Sequence, residues 1–261
     1  MTVAAMADVV ARYDQYFAVV RARTPEELDL AHRLRYQVYC VEHRFEDPWG
    51  HRDHREADED DDRSAHALLL HRPSGTMAGT VRVIMPTLED RPRPLPIECV
   101  LDPIVRPRLG VLPREEVAEI SRFAVSKSFR RRHGDGRYGE AYSASRDDGA
   151  ATMERRLMPF ITLGLLRAVL GICLEHGVSH LAAMMEPALL RLLLRLGLVF
   201  EPLGGLVEHH GLRQPCLARL ADLTRRSRQA ADLLWQYAGR DLVEIEAVGG
   251  TAREREWARR A

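Results

Sequence analysis

Cysteine, aromatics and net charge are all scarce in this chain, and each scarcity excludes something. Only four cysteines, Cys40, Cys99, Cys173 and Cys216, are spread over the 261 residues. None belongs to a CxxC pair or a Cys/His ligand cluster. Neither a metal site nor a disulfide framework is therefore expected, and reduced thiols in a cytoplasm are the simplest setting. Lys and Arg together number 38, and so do Asp and Glu. That balance does not suggest a general nucleic-acid binder. No apolar run reaches the roughly 18 residues of a membrane span, and the first residues lack the basic-then-apolar order of a signal peptide. No internal repeat is visible. What the chain does have is 46% hydrophobic residues, enough for a sizeable core.

Along the chain, Tyr16–Arg21 reads as a first strand. Thr24-Pro25-Glu26-Glu27 then opens a helix: Thr24 caps, Pro25 takes the first helical position and Glu27 completes a capping box. The helix is predicted to run to about Glu42, with Leu28, Ala31, Leu34, Val38 and Val41 on one face. Arg35 and Tyr39 lie one turn apart on another, where surface exposure is the ordinary expectation.

Residues 43–64 are polar and irregular, with an acidic run at Glu56, Asp58, Glu59, Asp60, Asp61 and Asp62. The ligand alternation and mid-loop glycine of a calcium site are absent. The segment reads either as a solvated loop or as a flexible lid holding Phe45 and Trp49 over a pocket. Ala65–His71 and Met77–Met85 form a hairpin, the second strand carrying Gly79 and Arg82. Residues 86–113 are proline-rich and expected to be a long loop without regular structure.

Glu116–Arg132 is the most informative stretch. Val117, Ile120, Phe123, Ala124 and Val125 are strand-forming, yet Glu119 and Arg122 interrupt them. An unpaired charge in a buried strand costs several kcal/mol or shifts its pKa. The pair is thus either a self-satisfying structural one or part of a site. The basic run that follows, Lys127 with Arg130, Arg131 and Arg132, is either a solvated surface or an anion-binding edge. Later come helices over Leu157–His176, ended by Gly177, and Pro187–Leu196, ended by Gly197. Strands are expected at Val178–Met184, Leu198–Leu203 and Gln214–Leu220, and a helix over 222–240. Early hairpins followed by alternating helices and strands predict one mixed α/β domain over residues 16–220, with 221–261 as a C-terminal helix and charged tail.

This order resembles the GNAT acyltransferase superfamily, in the branch that makes acyl-homoserine lactones and N-acyl amino acids. The likeness rests on Arg35 and Tyr39 in the first helix, Glu56, Asp58 and Asp61 in the acidic segment, Gly79 and Arg82 on a strand, and Glu119, Ser121, Arg122 and Phe123 on the next. More narrowly, VYCVEHRFE, SAHALLLHRPSG, EISRFAVSKSFRRR, MEPALLRLLLRLG and HGLRQPCLA resemble acyltransferases associated with PEP-CTERM/exosortase systems of Gram-negative bacteria. The resemblance implies a GNAT-like mixed sheet of six to seven strands flanked by helices. It also implies a cytoplasmic enzyme that transfers a long-chain acyl group to the α-amine of an amino acid. The donor would be an acyl-carrier-protein or CoA thioester, with no bound cofactor and no metal.

By the same resemblance Glu119 and Arg122 are catalytic, Glu119 as the base that frees the amine. Backbone amides near Phe123–Val125 would stabilise the oxyanion. Arg35, Arg82 and Arg122 either bind a substrate carboxylate or fix the acidic segment. Tyr39, Phe45, Trp49, Glu56, Asp58, Asp61, Ser121, Phe123 and Met185 would complete the substrate site. Val125, Lys127, Arg130, Arg131 and Arg132 would receive the donor. The core between Leu157 and Leu198 would supply the acyl tunnel. Arg131, Gly134 and Gly136 can be fitted to the superfamily's pyrophosphate loop, but the helix that should begin there starts near residue 155. A carrier-protein thioester held by the basic cluster fits better. The expected partners are acyl carrier protein and a small amine, with peripheral contact with membrane lipid left open. Two alternatives stand beside this: an acyl-homoserine-lactone synthase using S-adenosylmethionine, and a non-catalytic protein that binds acyl chains or carrier protein.

Overall fold

The structure, a computed structural model, describes residues 12–87, 93–130, 161–195 and 198–225. One mixed sheet forms its centre, in the order β1 (Phe17–Ala22), β2 (Ser64–His71), β3 (Thr76–Ile84), β4 (Val117–Val125), β5 (His180–Met185), β8 (Leu212–Arg219) and β6 (Glu201–Pro202). The two-residue strand β7 (Val207–Glu208) pairs with β8. Among the described residues this makes eight strands where six to seven were expected. The predicted strand over Leu198–Leu203 shrinks to Glu201–Pro202, because Pro202 cannot donate to a ladder and Gly204, at φ 86°, turns the chain back.

Helix α1 (Pro25–Arg35) begins as its sequence predicts. Thr24 Oγ1 accepts from the Glu27 amide at 3.3 Å, and the Glu27 carboxylate accepts from the Thr24 amide at 3.0 Å. It continues as π-helical turns over Tyr36–Glu42. The wider turns rotate the expected apolar face, so Val38 and Cys40 are buried while Val41 is 49% exposed. The expected featureless loop over 86–113 contains two short helices, α2 (Pro96–Val100) and α3 (Pro107–Gly110), each started by its proline. Proline there is an initiator, its missing N–H being one that a first turn leaves unpaired anyway. Helix α4 (Lys127–Arg130) follows β4. Helices α5 (Ile161–Glu175), α6 (Pro187–Arg195) and α7 (Leu220–Arg225) complete the described elements. The predicted start of the long helix at Leu157, its partner's stop at Gly197 and most of the helix over 222–240 lie outside the described residues. Among those residues, no helix is long and apolar enough to cross a membrane.

Two features of the sheet set up the site. The β3–β4 register slips between Thr80↔Ala124 and Arg82↔Ser121, so Val81 faces both Arg122 and Phe123. Arg122 takes the strained place in this bulge, at φ 49°. The slip puts Arg122 on the same face as Arg82 and Ser121. The other face carries Gly79, Val81 and Val83 against α5. The second feature is the only parallel pairing among the described residues, β4 with β5. It runs from Val117↔His180 to Ile120↔Ala183 and stops there, although both strands continue. Ser121–Val125 therefore border a gap on their β5 side.

Candidate active site

Three guanidinium groups and three carboxylates interlock over β3 and β4. Arg35, at the end of α1 and 0% exposed, donates from Nε to Glu56 Oε2 at 2.5 Å and from Nη1 to Asp61 Oδ1 at 2.6 Å. Arg82 on β3 is as deeply buried. It donates from Nη1 to Asp58 and to Asp61 Oδ1 at 2.8 Å, and from Nη2 to Ser121 Oγ at 3.1 Å. Arg122 donates from Nη2 to Glu56 Oε1 at 2.8 Å and to Asp58 Oδ2 at 3.0 Å. The formal charges of these six groups cancel. That balance is what permits such burial, since an uncompensated guanidinium at this depth would cost several kcal/mol.

The carboxylates respond accordingly. Burial alone would raise the Glu56 carboxyl, but the hydrogen bonds from Arg122 and Arg35 outweigh it and hold the pKa at about 2. Asp61 is likewise pushed up by burial and pulled further down by Arg35 and Arg82. His66 lies opposite Arg82 on β2, with Nε2 3.4 Å from Asp61 Oδ1. Burial and the neighbouring Arg35 lower its pKa to about 4, so the imidazole is neutral at ordinary pH.

The acidic segment is thus pinned rather than solvated at its functional positions. Glu56 is 1% exposed, and its amide donates to His32 O at 3.1 Å. The surface expectation for Arg35 fails for the same reason.

Glu119 stands apart from this network. Its strand neighbours are Ile84 and Ala182, and its Oε2 accepts from the Ile97 amide at 2.8 Å. Burial raises its pKa to about 8, the Ile97 hydrogen bond and Arg82 offsetting only part of the rise. A carboxyl of this kind is protonated at neutral pH and is a stronger base once ionised. The Ile97 contact could not be foreseen from residue types, because it is made by backbone on a helix that the proline content concealed.

The remaining expected residues separate into groups. Tyr39 lies under Arg122, with Cζ 5.3 Å from the ring centroid. Phe45 sits 6.2 Å from Tyr39, centroid to centroid, and stacks on His43 at 5.1 Å. Trp49 does not cover a pocket: Asp47 caps a tight turn at Pro48–Gly50 that leaves the indole 82% exposed. Met185 and Val125 are buried in the core beneath α5, and Phe123 packs against that core. Lys127 is tied to Glu42, its amide donating to Oε2 at 2.8 Å and its Nζ to the carbonyl. Arg130 closes α4, and Arg131 and Arg132 fall outside the described residues. No local pattern singles out His66, His32 or Glu46; Glu46 Oε1 lies 3.6 Å from Arg122 Nη2. Their roles exist only once β2 and the acidic segment are brought together.

Residues 34–137 match the family described as acetyltransferase (GNAT) domain. Several solved structures share the fold. TofI, in a ternary complex with an inhibitor and MTA, is 20% identical over 83% of this chain and 96% of its own, with a TM-score of 0.53. BjaI, a CoA-dependent acyl-homoserine lactone synthase with SAM and isopentyl-CoA, is 21% identical over 86% and 89%, with a TM-score of 0.53. FeeM, an N-acyl amino acid synthase from uncultured soil microbes, is 15% identical over 83% and 96%, with a TM-score of 0.51. No curated protein matches the sequence. The architecture is GNAT-like, one mixed sheet flanked by helices.

Proposed function

We propose that this protein is an N-acyltransferase that moves a long-chain acyl group from a thioester to the α-amine of an amino acid or related amine. The observation that carries this is the end of the β4–β5 pairing at Ile120↔Ala183. Beyond it the backbone of Ser121–Val125 has no strand on that side among the described residues, so an extended pantetheine-like thioester can lie in the gap and hydrogen-bond to β4. Amides near Phe123–Val125 would then meet the developing oxyanion. Glu119 lies two residues below Ser121 on the same face. It would take the proton from the attacking ammonium through a water. Glu119 passes that proton on to solvent, the amine nitrogen bonds to the acyl carbon, the carbon–sulfur bond breaks, and a second proton from the nitrogen leaves with the thiolate as thiol.

The Arg35–Arg82–Arg122 network acts in this scheme as scaffold. It fixes the acidic segment over β3 and β4 and excludes water from the thioester. The basic run at Lys127, Arg130, Arg131 and Arg132 supports acyl carrier protein rather than free CoA as donor, in a cytoplasmic setting. The resemblance to PEP-CTERM-associated acyltransferases points the same way. Purified protein should release thiol from acyl-carrier protein only when an amine is added, and lipid extracts of overproducing cells should contain new N-acyl amino acids by mass spectrometry. Acyl-homoserine lactone as sole product, formed only with S-adenosylmethionine, would replace this assignment. No amine-dependent thiol release from either thioester would remove it.

A further inference from the structure

Arg35, Arg82 and Arg122 cannot easily receive a substrate carboxylate, because each is already held by Glu56, Asp58 or Asp61. Displacing any of them would leave an internal carboxylate buried and unpaired. A different cation stands nearby. Arg213 is the second residue of β8, one before Gln214, which pairs with Met185 at the last position of β5. That is the same end of the sheet at which β4 and β5 have parted. Its guanidinium lies over the Phe45 ring, 5.5 Å from Cζ to the centroid. Phe45 neighbours Tyr39, and Tyr39 lies under Arg122. Arg213 is therefore at the edge of the proposed site, backed by an aromatic face.

Its hydrogen bonding is incomplete. Among the described residues the Arg213 side chain has one acceptor, Leu212 O at 3.2 Å, and no carboxylate within ion-pair distance. The nearby acid, Glu46, is directed to Arg122 at 3.6 Å and His210 at 3.5 Å. The hairpin that carries Arg213 is fixed by two consecutive left-handed residues, His210 at φ 52° and Gly211 at φ 90°, and by a hydrogen bond from the His209 amide to Gly211 O at 2.9 Å. A guanidinium stacked on a ring keeps its N–H edges free for a bidentate acceptor while losing little rotamer freedom.

We propose that Arg213, backed by Phe45, binds the carboxylate of the amine substrate and so selects α-amino acids over amines that lack a carboxylate. This rests on the N-acyltransferase assignment and names the acceptor class for the same site. The α-amine, one carbon from the bound carboxylate, would be directed towards the gap beside β4.

The test pairs a kinetic with an equilibrium measurement on the full chain. In the first, wild type and Arg213→Ala are assayed with acyl-carrier protein and an α-amino acid, its primary carboxamide and its decarboxylated amine. Wild type should favour the acid by about 10- to 100-fold in kcat/KM, the range of a charge-assisted hydrogen bond. The variant should lose that preference through KM, with kcat for the carboxamide unchanged, and Arg213→Lys should keep part of it. In the second, calorimetry compares binding of an N-lauroyl amino acid and its carboxamide to the same proteins, where the same discrimination should vanish in Arg213→Ala. If no amine is acylated but the binding preference depends on Arg213, the site stands and the catalytic assignment falls. If acylation proceeds with equal preference in wild type and Arg213→Ala, the catalytic assignment stands and the Arg213 site is overturned. Should Arg213→Ala fail to fold, Arg213→Gln carries the same comparison.

Discussion

Arg122 reaches Glu56 across 66 positions of sequence from a backbone turned left-handed, its Nη2 2.8 Å from Oε1 and its φ at 49°. A non-glycine residue holds such a conformation only where its surroundings over-determine it. Here the bulge in β4 and the two-pronged contact with Glu56 do so together.

Glu56 is the most deeply buried acid of the network, 1% exposed, and is shared by Arg35 and Arg122. Glu56→Gln should therefore destabilise the protein by about 3–5 kcal/mol, the usual cost of breaking one side of a buried pair. Adding Arg122→Gln should recover part of that loss. Urea unfolding measures both, and a single-variant cost below about 1 kcal/mol would mean that the pair is effectively solvated.

Glu119 should give the protein an unusual pH dependence. The unfolded carboxyl ionises near its ordinary value of 4.5, whereas burial lets the folded one hold its proton to about 8. Between those values the folded state binds the extra proton, so stability falls as pH rises from about 4.5 to about 8 and then levels off. Glu119→Gln should flatten this slope. In activity, kcat/KM should climb towards pH 8 in the wild type, and the variant should lose about 10²- to 10⁴-fold, the range of a general base. A pH-independent wild-type stability, or normal turnover in the variant, would contradict the corresponding half.

Gly79 is needed for space rather than for φ. A Cβ there would stand 2.8 Å from Ala124 O and 3.1 Å from Leu165 Cδ1. The first contact is backbone and cannot swing away. Gly79→Ala should cost about 1–3 kcal/mol and loosen the bulge that presents Arg122, lowering melting temperature and turnover together. A neutral substitution would show that β3 and β4 can separate freely.

The acidic segment should be protected from amide exchange before any ligand binds. The Glu56 amide donates to His32 O at 3.1 Å and the Asp58 amide to Asp61 Oδ2 at 2.8 Å. Both should exchange slowly in the free protein. Rates equal to those of an unstructured peptide would restore a freely opening lid.

Much of this was legible beforehand. Periodicity and caps placed β1, the start of α1, the β2–β3 hairpin and β4 to within a residue or two, since those signals are local. The identities of Arg35, Glu56, Asp58, Asp61, Arg82 and Arg122 were legible too, through resemblance. Two things were not. Whether the arginines face a ligand or their own acids depends on where residues 53–62 fold back, which no local pattern encodes. Trp49 and Arg213 exchanged prominence for a similar reason. An exposed indole and a half-buried guanidinium look alike in sequence, and the difference is set by an Asp47-capped turn and a left-handed hairpin.

The dispersal of the charged network also bears on how the molecule is made. Arg35, Glu56, Arg82 and Arg122 emerge from a ribosome in that order, the last well after the first. Until β4 is synthesised Glu56 has only Arg35 to answer it, and two guanidinium groups face three carboxylates, so burying the acidic segment leaves a charge uncompensated. Closure of the segment is therefore a late, long-range event that must wait for the bulge. A nascent chain halted short of Arg122 should remain open to protease across residues 53–62, and one extended past Val125 should begin to resist it.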